Sequence, residues 1–305
     1  MRNGNLIVAA EPVGLKIQKS YPVTDLAPVK PLIGEKPYGQ FDSEKEVIKY
    51  IESLGHDKMT ELSDLYRVMM GQKGGFCFTD RLYEDNPRTP LDRLIYNMSS
   101  CRSVHTRKHI VREQLIKLFK DFEGREGMNI HDLGSGPSDY TVEAFSKIIS
   151  GNGRHFEQLP HATCIDTNPE ALERGSVLAK EACVGDHIAY KHGNIAFALK
   201  RDTIKRDTGK GTDLIMAIGL ICPLSDETTL DIFDGTLRNL KEGGKFYTCA
   251  MGPHPLKNFL DSAGWKLRNR TPEELEKMMK QAGFEVKEIY LDPYGYFSYG
   301  IGQKT

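Results

Sequence analysis

Residues 131–141, HDLGSGPSDYT, combine a carboxylate with two glycines at the point where an apolar run ends and a helical pattern begins. Gly134 permits a tight turn here, and Gly136 allows a ligand to approach the backbone closely. A strand, a glycine turn and a helix in this order are the context in which a glycine pattern indicates a cofactor site. Asp132 ends the strand, where its carboxylate could face a cationic group of the ligand. The alternative is a carboxylate that caps the helix within the turn.

The same loop discriminates between cofactors. A dinucleotide requires backbone N–H donors around its pyrophosphate and a third glycine where the helix packs on the strand. Here Pro137 has no N–H, and Ser138 stands where the third glycine would be. S-adenosylmethionine carries no phosphate, so the missing donor costs it little. The loop therefore favours S-adenosylmethionine, and a dinucleotide-binding Rossmann protein is the less favoured alternative.

Two further polar side chains follow the next two predicted strands. Asp166 stands 30 positions after Gly136. The usual offset is about 20, and the segment 151–160 explains the excess as an inserted loop. A carboxylate at this place can accept hydrogen bonds from both ribose hydroxyls, although it could also cap the next helix. Asn194 could hydrogen-bond the adenine edge while Ile195 packs on the ring; an ordinary turn asparagine is the alternative.

Methyl transfer from a sulfonium depends on positioning and exclusion of water more than on a catalytic base. We name Tyr96 and His254 as candidates for a direct catalytic role. Tyr96 could place its ring or hydroxyl over the sulfonium, because cations favour aromatic faces; a core tyrosine is the alternative. His254 follows the fifth predicted strand, where loops form the substrate crevice, and could act as an acid or a base. A turn histidine is the alternative.

A dense basic stretch, RSVHTRKH at 102–109, lies at the start of a long helical pattern. An arginine of this stretch could hold a carboxylate of the cofactor or the substrate through its bidentate fork. The alternatives are a solvated helix face and a local patch for nucleic-acid phosphate. The whole chain has 41 basic and 42 acidic residues, so its overall charge does not favour nucleic acid as a partner.

Composition limits the remaining classes of function. The six cysteines are scattered and form no CxxC pair, which predicts no metal site and a reducing, cytoplasmic environment. No apolar run approaches the roughly 18 residues that would indicate a membrane span. The N-terminus lacks a full signal-peptide pattern, because its apolar run is too short.

The elements that must position these residues fall into three predicted regions. Residues 1–40 contain five prolines and are expected to form an extended arm. Residues 41–127 show amphipathic helical patterns and are expected to form a helical cap. Residues 128–305 alternate strands with helices and end in two strands around a Pro-Tyr-Gly turn. This alternation predicts an α/β fold, a Rossmann-like doubly wound sheet with a C-terminal antiparallel hairpin strand, as the S-adenosylmethionine-binding domain.

Residues 128–305 resemble the class I S-adenosylmethionine-dependent methyltransferases. The resemblance rests on DLGSGPS, CIDTNPEAL, the GN at 193–194, DLIMAIGLI, LKEGGKFY and the closing FEVKEIYLD hairpin. RKHIVREQL and WKLRNRTPEELEKMMKQAGFEV are similar to a narrower group of methyltransferases whose substrate is unknown. The resemblance implies that the cofactor residues are Gly134, Gly136, Asp166, Asn194 and Ile195; Ser138 departs from the family's third glycine.

These features together predict methyl transfer to a small molecule. The fourth predicted strand is followed by the apolar stretch 219–224, and the Asn-Pro-Pro-Tyr motif of base-modifying relatives does not follow it. The same cofactor anchors would also serve transfer of the aminocarboxypropyl arm, or its cyclisation, with release of methylthioadenosine. The sequence does not specify the acceptor or the oligomeric state.

Overall fold

The computed structural model describes residues 41–71, 75–121, 127–150, 159–200, 204, 209 and 211–305, so the predicted arm lies outside the described residues. The helices are α1 Glu44–Leu62, α2 Asp64–Gly71, α3 Phe76–Tyr83, α4 Pro90–Asn97, α5 Ser99–Asp121, α6 Asp139–Ser150, α7 Pro169–Glu181, α8 Ile195–Lys200, α9 Asp226–Asn239, α10 Lys257–Ser262 and α11 Pro272–Gln281. The strands are β1 Asn129–Leu133, β2 His161–Asp166, β3 Ile188–His192, β4 Thr212–Ile218, β5 Leu240–Met251, β6 Glu285–Leu291 and β7 Phe297–Gln303.

The described strands form one sheet in the order β3-β2-β1-β4-β5-β7-β6. The strands β1 to β5 pair in parallel, and β7 runs antiparallel to both β5 and β6. The predicted doubly wound sheet with an antiparallel C-terminal hairpin is confirmed. Because β1 lies between β2 and β4, the chain changes direction across the sheet there, and a crevice opens at the carboxyl ends of these strands.

Strand β4 shows how the sheet is buried on both faces. Every residue of its apolar run is buried, as expected for a parallel strand covered by helices on two sides. Leu214 and Met216 belong to the core that faces the cap, while Ile215 and Ala217 belong to the core under α9 and α11. Successive side chains alternate between faces, so one strand contributes to both cores.

The cap consists of α1 to α5, and its helix starts follow ordinary capping chemistry. Ser43 caps α1 with its side chain, and Thr89 and Asp92 form a reciprocal capping box at α4. Helix α1 continues through a kink at Gly55, which has φ +67° and ψ 173°. The helix turns sharply there because glycine has no Cβ penalty at positive φ.

The cap and the sheet share one hydrophobic core. A single cluster of buried side chains contains Ile51 of the cap together with Ile130 and Met216 of the sheet. Phe119 of α5 meets Phe145 of α6 edge-on, with ring centroids 5.4 Å apart. The division between a cap at 41–127 and a cofactor domain at 128–305 stays a prediction, and the shared core shows that the two regions are packed as one body.

Candidate active site

A cavity of about 540 Å³ lies between the cap and the carboxyl ends of the parallel strands. Its lining combines the glycine loop after β1, the turn after β2, the end of β4, the segment between β5 and α11, and side chains from all five cap helices. The cavity therefore occupies the crevice that the strand order creates, and the cap covers it.

The glycine loop is held against β2 by its main chain. Gly134 N donates to the Ile165 carbonyl oxygen at 2.9 Å, and Gly136 N donates to Asp166 Oδ2 at 2.8 Å. The two glycines have φ of +64° and +54°, the left-handed region that favours glycine. Asp166 Oδ1 accepts the Asn168 N–H at 2.8 Å, so the carboxylate is fixed at the end of β2.

The structure brings most of the predicted cofactor residues to this cavity. The following line it: Gly134, Gly136, Ser138, Asp166 and Ile195. The alternative role for Asp166 was to cap the next helix. Asn168 fills that role instead, because its side chain accepts two N–H groups at the start of α7. We call the lining from the glycine loop and the turn after β2 the glycine-loop wall.

Asp132 lies beneath the glycine loop, outside the cavity lining, and is fully buried. Its Oδ2 accepts the Ser138 hydroxyl at 2.5 Å and the Thr141 hydroxyl at 3.4 Å, and its Oδ1 accepts the Tyr140 hydroxyl at 3.1 Å. Burial raises the pKa of the Asp132 carboxyl to about 7, and the hydroxyl donors oppose the rise. The Asp132 carboxylate therefore binds three side-chain hydroxyls at the start of α6, beneath the cavity.

Asn194 and Tyr96 are also used within the fold. Asn194 Oδ1 accepts the Phe197 N–H at 3.1 Å at the start of α8, and the side chain lies outside the cavity lining. Tyr96 is buried in the cap, where its hydroxyl donates to the Arg81 carbonyl oxygen, and desolvation raises the pKa of its phenol. Both arrangements agree with the structural alternatives, a turn asparagine and a core tyrosine.

His254 lines the cavity from the segment between β5 and α10. It is largely buried, and its Nε2 has no hydrogen-bond partner among the described residues. Desolvation lowers the pKa of the imidazole; the charge of Lys257 lowers it further, and that of Asp261 opposes this. A buried imidazole nitrogen without a described partner, on a residue that lines the cavity, makes His254 a candidate for proton exchange with a ligand.

Helix α3 contributes lining residues that the sequence analysis missed: Phe76, Asp80 and Tyr83. Their spacing of four and three residues places them on one helix face, a signal that the short length of the helix concealed. Desolvation raises the pKa of the Asp80 carboxyl to about 6, and the charge of Asp139 adds to the rise. Arg174 forms an ion pair with Asp80 and opposes it.

The remaining lining is mainly apolar, and we call its aromatic side chains Tyr66, Phe78, Phe259 and Trp265 the aromatic wall. The Phe78 and Trp265 rings meet edge-on with centroids 5.3 Å apart, and the Tyr66 and Phe259 centroids are 6.0 Å apart. Such a surface is suited to the apolar body of a ligand.

The basic stretch at 102–109 is not a simple solvated face. Arg102 and His105 are buried, and Lys108 Nζ contacts Glu143 Oε1 at 3.0 Å. Arg107 lines the cavity. These placements turn several of the charges inward or neutralise them, which does not favour a phosphate-binding patch.

Comparison with protein families shows to which family the chain belongs. The model of the family Methyltransf_20, described as "Putative methyltransferase", matches residues 66–304, more than half of the sequence. The chain belongs to this methyltransferase family. The prediction that it is a methyltransferase enzyme is thereby confirmed. Comparison with curated proteins gives no match.

Solved structures share the fold at low sequence identity. A Bordetella parapertussis protein titled a "possible exported protein" is 18% identical with a TM-score of 0.60, covering 86% of this chain and 94% of that one. A magnesium protoporphyrin IX methyltransferase from Synechocystis PCC 6803 with bound SAH is 10% identical with a TM-score of 0.53, covering 74% and 92%. An O-methyltransferase family protein from Burkholderia thailandensis is 12% identical with a TM-score of 0.52, covering 87% and 73%.

Membrane-spanning helices and metal-binding clusters are both absent from the described residues. None of the helices in the described residues is long and apolar enough to cross a membrane. Within the same residues, no cluster of three or more histidine, cysteine and acidic side chains is arranged to hold a metal ion.

Proposed function

We propose that this methyltransferase transfers a methyl group from S-adenosylmethionine to a small molecule held in the cavity under the cap. The observation that carries the proposal is that one cavity joins the glycine-loop wall to the aromatic wall. Family membership supports methyl transfer, and the SAH bound to the protoporphyrin methyltransferase supports the cofactor. The cap covers the strand ends, which favours a small acceptor over a polymer.

The glycine-loop wall fits S-adenosylmethionine. Each Asp166 oxygen accepts one hydrogen bond from described residues, which leaves further lone pairs for the ribose hydroxyls. Ile195 offers an apolar surface for the adenine ring. At Gly136 the backbone is open to the cavity, because a Cβ there would have only Phe76 Cβ near it, at 3.6 Å.

Asp80 and Asp139 supply the negative charge that the sequence placed at Asp132. Both line the cavity, and burial raises the pKa of both carboxyl groups. A bound cation lowers these pKa values again and keeps the carboxylates charged. Asp132 contributes indirectly, because its hydrogen bonds to Ser138 and Tyr140 fix the start of α6.

Methyl transfer then requires that the acceptor be positioned and that a nearby group accept one proton. When bound, the cofactor supplies a methyl carbon that bonds to the acceptor atom, while the carbon–sulfur bond breaks and its electron pair stays on sulfur. His254 Nε2 takes the proton where the acceptor atom is a hydroxyl oxygen or a protonated nitrogen. The cap and the aromatic wall exclude water from the reacting atoms and hold the acceptor in line.

Incubation with trideuteromethyl S-adenosylmethionine and a mixture of small metabolites tests the proposal, with both sulfur products read by mass spectrometry. We expect S-adenosylhomocysteine together with small molecules that carry the labelled methyl group. Methylthioadenosine as the sulfur product would instead establish transfer or cyclisation of the aminocarboxypropyl arm. Calorimetric binding of a dinucleotide, with none of S-adenosylhomocysteine, would overturn the cofactor assignment.

A further inference from the structure

Arg107 brings a guanidinium group into the cavity, and none of the described residues gives it an acidic partner. It lies on α5, and its Nε donates to the Tyr83 hydroxyl at 3.3 Å. The guanidinium carbon is 5.2 Å from the centroid of the Phe297 ring. No carboxylate of the described residues lies within ion-pair distance of Arg107.

Other poorly exposed cations of the cap are paired. Arg81 Nε lies 3.3 Å from Asp64 Oδ2. Lys108, the next residue after Arg107, contacts Glu143 at 3.0 Å. A cation that is taken out of water without a counter-charge is costly, so its retention in a cavity indicates an anion that arrives with a ligand.

The sheet locates Arg107 relative to the proposed cofactor site. A Cβ on Gly219, directly after β4, would lie 2.9 Å from Arg107 Nη1, and Phe297 is the first residue of β7. The strand order places β1 between β2 and β4, with β5 and β7 beyond β4. Asp166 ends β2. Arg107 therefore contacts the ends of β4 and β7, on the other side of β1 from the proposed ribose site at the end of β2.

We infer that Arg107 binds a carboxylate of the acceptor, and that the substrate class is a small organic acid with an aromatic or apolar body. This inference rests on the proposed function, because it assigns the part of the cavity that the cofactor leaves free. A guanidinium offers two parallel N–H donors that match a carboxylate. Tyr83 and Phe297 already restrain its orientation, and the aromatic wall accommodates the body of the acid.

The methionine arm of the cofactor carries a carboxylate of the same chemistry, so the test must separate the two sources. Calorimetry with saturating S-adenosylhomocysteine compares benzoate and cinnamate with benzamide and cinnamamide. The proteins are the wild type, Arg107→Gln, Arg107→Lys and the control Arg112→Gln, which removes a guanidinium that pairs with Glu143 on the same helix. Thermal unfolding verifies that each variant is folded.

We expect the wild type to bind an acid more tightly than its amide. Arg107→Gln should weaken the acid about tenfold to a hundredfold, the loss typical of a hydrogen-bonded charged partner, and leave the amide unchanged. Arg107→Lys should recover part of the preference, and Arg112→Gln should retain it. Equal binding of acids and amides by the wild type, or an acid preference that survives in Arg107→Gln, overturns the inference.

Titration with S-adenosylhomocysteine and with methylthioadenosine, which lacks the amino-acid arm, provides the second arm of the test. We expect Arg107→Gln to bind both as the wild type does. A selective loss of S-adenosylhomocysteine affinity would assign Arg107 to the cofactor carboxylate and overturn the acceptor assignment. Failure of the wild type to bind S-adenosylhomocysteine would refute the proposed function. The preference for acids over amides, measured in the absence of S-adenosylhomocysteine, would still decide the role of Arg107.

Discussion

The glycine-loop wall and the aromatic wall face the same cavity but are built differently. The glycine-loop wall comes from two short segments after adjacent strands, and main-chain hydrogen bonds join them. The aromatic wall collects Tyr66 and Phe78 from the cap and Phe259 and Trp265 from the segment after β5, and ring packing holds them together. The first wall therefore depends on local backbone geometry, and the second depends on how the cap packs on the sheet.

The charges in the cavity follow a similar division. Asp166 lies in the glycine-loop wall and Asp139 directly follows it, whereas Arg107 and His254 come from α5 and from the segment after β5. Asp80 of the cap helix α3 is the exception among the acidic residues. A cationic cofactor and an anionic acceptor would each meet the opposite charge. Changes to one group should therefore affect cofactor binding, and changes to the other should affect acceptor binding or turnover.

The largest expected effect is on turnover, at His254. His254→Gln should lower kcat about a hundredfold to ten-thousandfold for a hydroxyl acceptor found in the labelled-methyl screen, with little change in cofactor affinity. Burial lowers the pKa of His254 below the ordinary 6.5, so wild-type kcat should fall only as the pH drops through that lowered pKa. The variant should lack this acid limb.

The control for this prediction is His161→Gln, because His161 is exposed at the start of β2. The measurement is the initial rate at roughly half-unit steps from about pH 4.5 to about pH 8, an interval that includes the ordinary titration range of histidine. A variant that retains the wild-type kcat and the acid limb would contradict the proton-transfer role.

A second effect concerns Asp132 and the stability of the glycine-loop wall. Its carboxyl pKa rises from 3.8 to about 7 on folding, so the folded state holds a proton that the unfolded state releases between these values. The free energy of unfolding should therefore fall, by up to a few kcal/mol, as the pH rises from about 4 to 7. Asp132→Asn, which cannot ionise, should show a smaller fall in urea unfolding at pH 4.5 and 7.5. Parallel pH dependence in both proteins would refute the buried-carboxyl account.

A third effect concerns cofactor affinity at Asp166. Asp166→Ala should weaken S-adenosylhomocysteine binding by about 1–3 kcal/mol, because ribose hydroxyls and Gly136 N–H lose their acceptor. Calorimetric titration is the measurement, and Asp186→Ala, an exposed carboxylate before β3, is the matched control. Unchanged affinity in Asp166→Ala would remove Asp166 from the cofactor site.

The smallest effect compares two glycines with nearly equal φ. Gly134 has φ +64° and Gly55 has φ +67°, but a Cβ at Gly134 would lie 2.8 Å from Leu220 Cδ1, whereas Gly55 has nothing within 4 Å. Alanine should cost roughly 1–3 kcal/mol of stability at either position, because both residues have a positive φ that disfavours a Cβ. Only Gly134→Ala should also weaken cofactor binding, since Leu220 lines the cavity. Equal affinities in the two variants would show that the loop tolerates the displaced side chain.

Much of the glycine-loop wall could be predicted from the sequence, because its signals are local. Gly134 and Gly136 stand between a strand and a helix, and Asp166 stands at the end of the next strand. The connection between a strand and the following helix leaves few places for such residues. The capping of α7 by Asn168 is local in the same way, since its side chain acts on N–H groups two and three residues away.

Other candidates could not be decided from sequence, because their roles depend on side-chain direction. Asp132 has the position of a ligand contact, but its carboxylate meets the hydroxyls of Ser138 and Tyr140 under the loop. Tyr96 donates to the Arg81 carbonyl oxygen within the cap. Spacing along the chain cannot show which of several nearby acceptors a buried polar side chain will use.

The fold class, the methyltransferase family and the segments that meet at the strand ends follow from the sequence alone, because periodicity and turn chemistry act over a few residues. Tertiary packing places Arg107 in the cavity with no carboxylate partner among the described residues, and it places Lys108 against Glu143. It also decided that the rings of Phe78 and Trp265 meet. Burial and pairing of a side chain are set by contacts between segments that are remote in the chain and become adjacent only when the cap packs on the sheet.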